Sequence, residues 1–140
     1  MLFRNENDDF TGFLTVEDVE RISGCKRIRR IEFDPTKFLG SELNFVSESG
    51  KKLLCVDFFS AAQFGTYKKI SPPNLMVSLQ DIGDEACAGQ DPVDHSSVLL
   101  FRKGKHTVFM NTAAEDKIKS GTLNLDQLIQ IGKVVASRIG

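Results

Sequence analysis

With 140 residues, 41% of them hydrophobic and 26% charged, the chain has the size and balance of one globular domain that can bury a core without disulfide or metal staples. Eighteen basic against 19 acidic side chains leave a net charge of -1, so no global basic field exists to gather nucleic acid or an anionic membrane. No run approaches about 18 consecutive apolar residues, so no membrane span is expected.

Residues 1–13 are polar with scattered Phe3, Phe10 and Phe13, which predicts an arm that is flexible or docked by its rings. The opening MLFRNENDDF is acidic and lacks an apolar h-region, unlike a secretory signal. The compartment therefore reads as cytoplasmic from the chain as given, and as exported if a leader precedes it. Thr15-Val16-Glu17-Asp18 has the layout of a capping box, with Asp18 in the usual Glu or Gln place. Val16, Val19 and Ile22 then form a narrow apolar stripe, and Gly24 is a natural stop. Ile28–Phe33 is predicted as a strand, broken by Asp34-Pro35. Leu43 and Phe45 alternate within Glu42–Val46, as in a half-buried strand, and Ser47–Gly50 turns the chain into a strand over Lys52–Phe58. Ser60-Ala61-Ala62-Gln63 is a second capping-box layout, starting a short helix over Ala61–Tyr67. Leu75–Leu79 reads as a short strand, and Asp81–Ser96 as a long polar loop. Val98–Phe101 and Thr107–Met110 flank a charged turn at Arg102–Lys105 and predict a hairpin that nucleates the sheet. Residues 113–122 read as loop. Asn124–Gln127 caps a final helix to about Arg138, with a broad apolar face of Leu125, Leu128, Ile129, Ile131, Val134, Val135 and Ile139.

The resulting order is α-β-β-β-α-β-β-β-α, which suggests an internal duplication. Leu53–Val56, Val98–Phe101 and Val108–Met110 are apolar on consecutive residues, whereas a sheet with one wet face alternates. With a turn at Lys103-Gly104, Leu99, Phe101, His106 and Val108 share one face. Val98, Leu100, Thr107 and Phe109 share the other. Both faces need cover, from helices on each side or from a second subunit.

Three cysteines, Cys25, Cys55 and Cys87, form neither a disulfide framework nor a CxxC pair, which fits a reducing compartment. Cys55 in an apolar strand reads as a small hydrophobe. The acidic loop offers Asp81, Asp84, Glu85, Asp91, Asp94 and His95, enough oxygens for a hard cation, although the spacing is not that of an EF-hand. The bland reading is a solvated loop turned by Gly83 and Gly89. Cys87 with His95 or His106 could pair a nucleophile with a base. Asp84-Glu85 beside it is the wrong sign for a thiolate, and an inert thiol is preferred. If buried, Asp57 would have a raised pKa and could act as an acid; the preferred expectation is that it points to the wetter face or meets a basic side chain. Lys26, Arg27, Arg29 and Arg30 are expected on a solvated edge strand that their charge guards, with Arg27 and Arg29 on one face. No GxSxG, P-loop, GxGxxG or HExxH occurs.

Ile82-Gly83-Asp84-Glu85-Ala86, Val98–Gly104, Leu125-Asp126-Gln127-Leu128 and Val135-Ala136-Ser137-Arg138 together resemble a pattern of small uncharacterised bacterial domains. Some of those domains are exported or lipoprotein-attached. The pattern runs from a G-D-E-A turn through a V-L-L-x-R-K-G hairpin to a helix ending in V-A-S-R, and covers about half of the chain. An aromatic residue is common there where Cys87 stands. The resemblance implies a structural framework and carries no activity or site residue. The order of elements is also similar to antiparallel folds of the TATA-box-binding-protein and PsbP types, a likeness of fold and not of function.

The expectation is one α+β domain over residues 1–140. It has a curved antiparallel sheet of about six strands with helices packed on it. Its function reads as a non-catalytic binding or protein-interaction module, with a homodimer or another protein as partner and with no cofactor or nucleic acid. The alternatives are a small enzyme or metal-binding protein using the loop from Asp81 to His95, and a carrier holding an apolar ligand among its Phe rings.

Overall fold

A computed structural model describes residues 10–31, 41–70, 77–90, 96–112 and 123–140. Residues 1–9 of the predicted arm, the Asp34-Pro35 breaker and the loop over 113–122 lie outside them, as do Asp91, Asp94 and His95.

The hairpin around Gly104 does form, from β6 (Ser97–Lys103) and β7 (His106–Thr112). Its two-residue turn is Gly104-Lys105, because Lys103 pairs with His106. Gly104 sits at φ 59°, the left-handed geometry that the first turn position of a type II′ hairpin demands. This turn is one residue later than expected and moves the register by two, so each side chain keeps its predicted face.

Around the hairpin the described residues build one antiparallel sheet of seven strands. Strands β1 (Arg29–Ile31), β2 (Ser41–Val46) and β3 (Lys52–Ser60) lie on one side, and β5 (Glu85–Gln90) and β4 (Val77–Leu79) on the other. The order is β1-β2-β3-β7-β6-β5-β4. The seventh strand is β5, which falls within the stretch expected to be polar loop. Ala86, Ala88 and Gly89 have poor strand propensity, yet they and Cys87 are buried, with Ala86–Ala88 paired to both β4 and β6. Packing on both faces outweighs intrinsic preference there.

Helices α1 (Val16–Ser23) and α3 (Leu125–Arg138) cover the first face. They bury Leu54, Val56, Phe58, Leu99, Phe101, Val108 and Met110 under Val19, Leu128, Ile131 and Val135. The caps predicted for these two helices are made. The Thr15 hydroxyl accepts from the Asp18 N–H at 3.2 Å while the Asp18 carboxylate accepts from the Thr15 N–H at 2.9 Å. Asn124 and Gln127 exchange bonds of 2.8 and 3.0 Å in the same way. Phe13 docks on Phe58 with ring centroids 5.7 Å apart, so this ring of the arm is anchored.

The second face is covered by a 3-10 turn, Ala61–Gln63, and α2 (Phe64–Ile70). Phe64 and Tyr67 pack on Cys87, Leu100 and Phe109, and Tyr67 stacks on Phe59 with centroids 4.7 Å apart. Ser60 makes no side-chain cap, contrary to the capping-box layout. The chain enters this turn through the Ala61 N–H, which donates to the Lys105 carbonyl at 2.9 Å.

Both faces of the hairpin are thus covered within one chain. The duplication suggested by the element order does not extend to the helices. A two-fold relating the antiparallel β3 and β7 stands normal to the sheet and would leave α1 and α2 on the same face, yet they lie on opposite faces.

Candidate functional site

Beyond the reach of α2, the second face turns polar, and its geometry originates in a β-bulge. Phe45 pairs with Leu54, but the next pair is Val46 with Lys52, so Leu53 is an extra residue in β3. The bulge lets both Leu53 and Leu54 join the core, which explains two of the consecutive apolar residues. Past it, the register sets Glu42 opposite Asp57 and Asn44 opposite Cys55. Glu42, Asn44, Cys55 and Asp57 therefore share the face opposite α1 and α3, with Asn111 beside Cys55 on β7.

Cys55 is only 4% exposed, and its thiol donates to Glu42 Oε2 at 2.9 Å. The Asp57 Oδ2 stands 4.0 Å from the same sulfur. One ligand atom from each of Glu42, Cys55 and Asp57 lies within 4.8 Å of the others. Burial, followed by the hydrogen bond and charge of Glu42, pushes the Asp57 carboxyl up to about 8. Burial likewise holds the Cys55 thiol far above its ordinary range, reinforced by Glu42 and then by the Asp57 charge. The Asp57 carboxyl is therefore largely protonated at neutral pH. Asp57 thus meets another acid, where a wet face or a basic partner was expected. Lys52 acts on it only through space. The Asn44 Nδ2 is buried without a hydrogen-bond partner.

The expected acidic-loop constellation is used differently. Asp84 accepts from the Gly104 N–H at 3.0 Å and lies 3.5 Å from Arg102, while its own N–H donates to the Arg102 carbonyl at 2.7 Å. Glu85 pairs with Lys68 at 3.2 Å and with Arg102 at 3.8 Å. These groups tie the β4–β5 turn and α2 to the hairpin. Cys87 is buried beneath Phe64, and desolvation raises its thiol. His106 lies on the opposite face of the sheet, against the Phe13 ring at 6.1 Å. The described members of the predicted Cys–His pair therefore do not meet.

Of the basic cluster, Arg29 and Arg30 lie on an edge strand, since β1 ends the strand order of the described residues, while Lys26 precedes it. Arg27 is not in the strand, however. It turns at φ 61° and pairs with Glu48 at 2.8 Å, so it does not share a strand face with Arg29. Among the described residues no helix is long and apolar enough to cross a membrane. No family model, curated protein or solved structure matches the chain.

Sequence reasoning passed over Glu42 and took Cys55 for a core hydrophobe. The available signal was the pair of alternating polar positions, Glu42-x-Asn44 and Cys55-x-Asp57, on two strands joined by a turn. A register read without the bulge sets Glu42 opposite Val56 and conceals the site.

Proposed function

We propose that the chain is a non-catalytic binding module. The observation that carries this reading is the use made of the acidic residues before the hairpin. Asp84 and Glu85 are held by backbone and basic side chains of β6, the turn and α2, in contacts that brace the sheet. The one thiol near them, Cys87, is sealed in an apolar cluster and kept protonated, the reverse of an activated nucleophile. The close seating of α3 on β6 lends no support to an apolar-ligand cavity between them. Thermal melts of Asp84→Ala and Glu85→Gln test the reading. Bracing residues lower the melting temperature when removed. A rise in both variants, as follows removal of strained active-site carboxylates, overturns it.

A second reading, in which the module pairs with another copy of itself, is favoured by the edge at β4. The β1 edge carries Arg29 and Arg30, whereas β4 carries Val77-Ser78-Leu79, with Val77 66% exposed. An uncharged edge strand is a template for antiparallel pairing about a two-fold axis. Sedimentation at micromolar concentration should show a dimer that Val77→Lys dissociates. A lone 15.6 kDa species in the unmodified protein overturns this reading.

A further inference from the structure

We propose that Glu42, Cys55 and Asp57 form a site for a thiophilic divalent cation of the zinc class on the second face of the sheet. The ligand atoms come from two adjacent strands in a fixed antiparallel register, a rigid platform rather than a loop. Separations within 4.8 Å require only side-chain adjustment to bring all three atoms to roughly 2.0–2.3 Å from a central ion.

The charge arrangement points the same way. Two carboxyl groups and a thiol converge in a half-buried setting, and among the described residues none of them forms an ion pair with a basic side chain. A divalent ion between them would supply the positive charge that no neighbouring side chain brings into contact.

The independent observation is Asn44. Its Nδ2 is buried and unpartnered, directly across the β2–β3 ladder from Cys55 and two residues from Glu42 on the same face. A buried donor without an acceptor is costly and calls for a partner. Three protein ligands leave a tetrahedral ion with one open position. A water or an anionic ligand atom in that position supplies an acceptor on this face of the sheet.

The donor set identifies the ion class. Magnesium and calcium take oxygen ligands throughout, whereas a thiolate selects zinc or another first-row divalent ion. The site is on the opposite side of the sheet from the α1–α3 core and uses neither Asp84 nor Glu85, so it stands or falls separately from the module reading.

The test uses the full chain, reduced and stripped with a chelator, titrated with Co²⁺ and then with Zn²⁺. One Co²⁺ should bind per chain with a near-ultraviolet sulfur-to-cobalt charge-transfer band, and Zn²⁺ should abolish the band by displacement. Cys55→Ser should remove the band, while Cys25→Ser and Cys87→Ser retain it. In case Cys55→Ser does not fold, Glu42→Gln and Asp57→Asn preserve shape, and each should weaken Zn²⁺ binding by at least about tenfold. The proposal is overturned by any of four results: no band in the unmodified protein at millimolar Co²⁺, a band that survives Cys55→Ser, Zn²⁺ affinity unchanged in both carboxyl variants, or displacement of Co²⁺ by Mg²⁺ at equal concentration.

Discussion

Arg138, in the last turn of α3, forks onto Asp18, in the first turn of α1. Its Nη1 reaches Asp18 Oδ2, and its Nη2 reaches Oδ1 at 3.1 Å. The same carboxylate closes the Thr15 cap and accepts from Arg21 at 3.1 Å. One buried acid thus joins the two helices of the first face and satisfies the N-terminus of one of them.

Asp18→Asn should therefore cost about 2 kcal/mol, more than a lost cap alone, which is worth about 1 kcal/mol. For a chain of this size that is a fall of roughly 6–10 °C in melting temperature. Arg138→Lys keeps the charge but loses the planar fork, and should cost about half as much. Calorimetry on both variants checks this. Equal melting temperatures in all three proteins would show the fork to be a surface pair of no consequence.

The pH dependence of this contact has a definite sign. The Arg138 guanidinium, with the Thr15 bonds, holds the Asp18 carboxyl well below the usual carboxylate range, against the opposing pull of burial. As pH falls through the ordinary aspartate value of 3.8, the unfolded chain takes up a proton and the folded chain does not. The contribution is complete above that value and is lost as pH falls toward the folded value. Urea midpoints should separate the unmodified protein from Asp18→Asn clearly at about pH 5 and much less at about pH 2.5. A separation that stays constant over this range would assign the effect to packing.

The two caps and the final helix were legible because their signals are local. Thr15 and Asp18, or Asn124 and Gln127, stand three residues apart and need no knowledge of the fold. The two-faced hairpin was legible because alternation fails over Val98–Phe101, and a register change of two leaves the faces intact. Strand β5 was not, since Ala86, Ala88 and Gly89 carry a loop-like composition and become strand only between two neighbours. Nor was the Glu42–Cys55–Asp57 convergence, because one extra residue at Leu53 decides which side chains face each other. A single inserted residue inverts a strand's faces, and composition does not report it.

Gly83 is a second place where local chemistry meets the hairpin. It turns at φ 60°, and a Cβ there would stand 2.6 Å from the Arg102 carbonyl oxygen, which accepts from the neighbouring Asp84 N–H. Backbone has little freedom to retreat from that contact. Gly83→Ala should cost about 2 kcal/mol, combining left-handed strain with the displaced Asp84 bond. The midpoint of urea unfolding measures this, and amide exchange should quicken at Asp84 before it does in α3. Unchanged exchange at Asp84 would separate the turn from the hairpin.

Gly132 tests how closely α3 is seated on the sheet. In a helix interior, Gly→Ala alone gains up to about 1 kcal/mol. Here the added methyl would fall well inside contact distance of Leu99 Cδ2, with the Met110 sulfur 3.9 Å away. Leu99 is fully buried, so its side chain cannot swing into solvent to make room. Overpacking of this kind costs about 1–3 kcal/mol, which exceeds the propensity gain, and Gly132→Ala should be destabilising by about 1 kcal/mol. Leu99→Val shortens the side chain that is struck and should cost about 1 kcal/mol by itself. Together the two changes should be less harmful than their sum by at least about 1 kcal/mol, because the methyl gained on the helix fills the space given up on β6. A double-mutant cycle from urea unfolding reads that coupling directly. Strict additivity would mean that α3 lifts away from β6 to accept the methyl, and that the helix rests on the hairpin more loosely than these positions require.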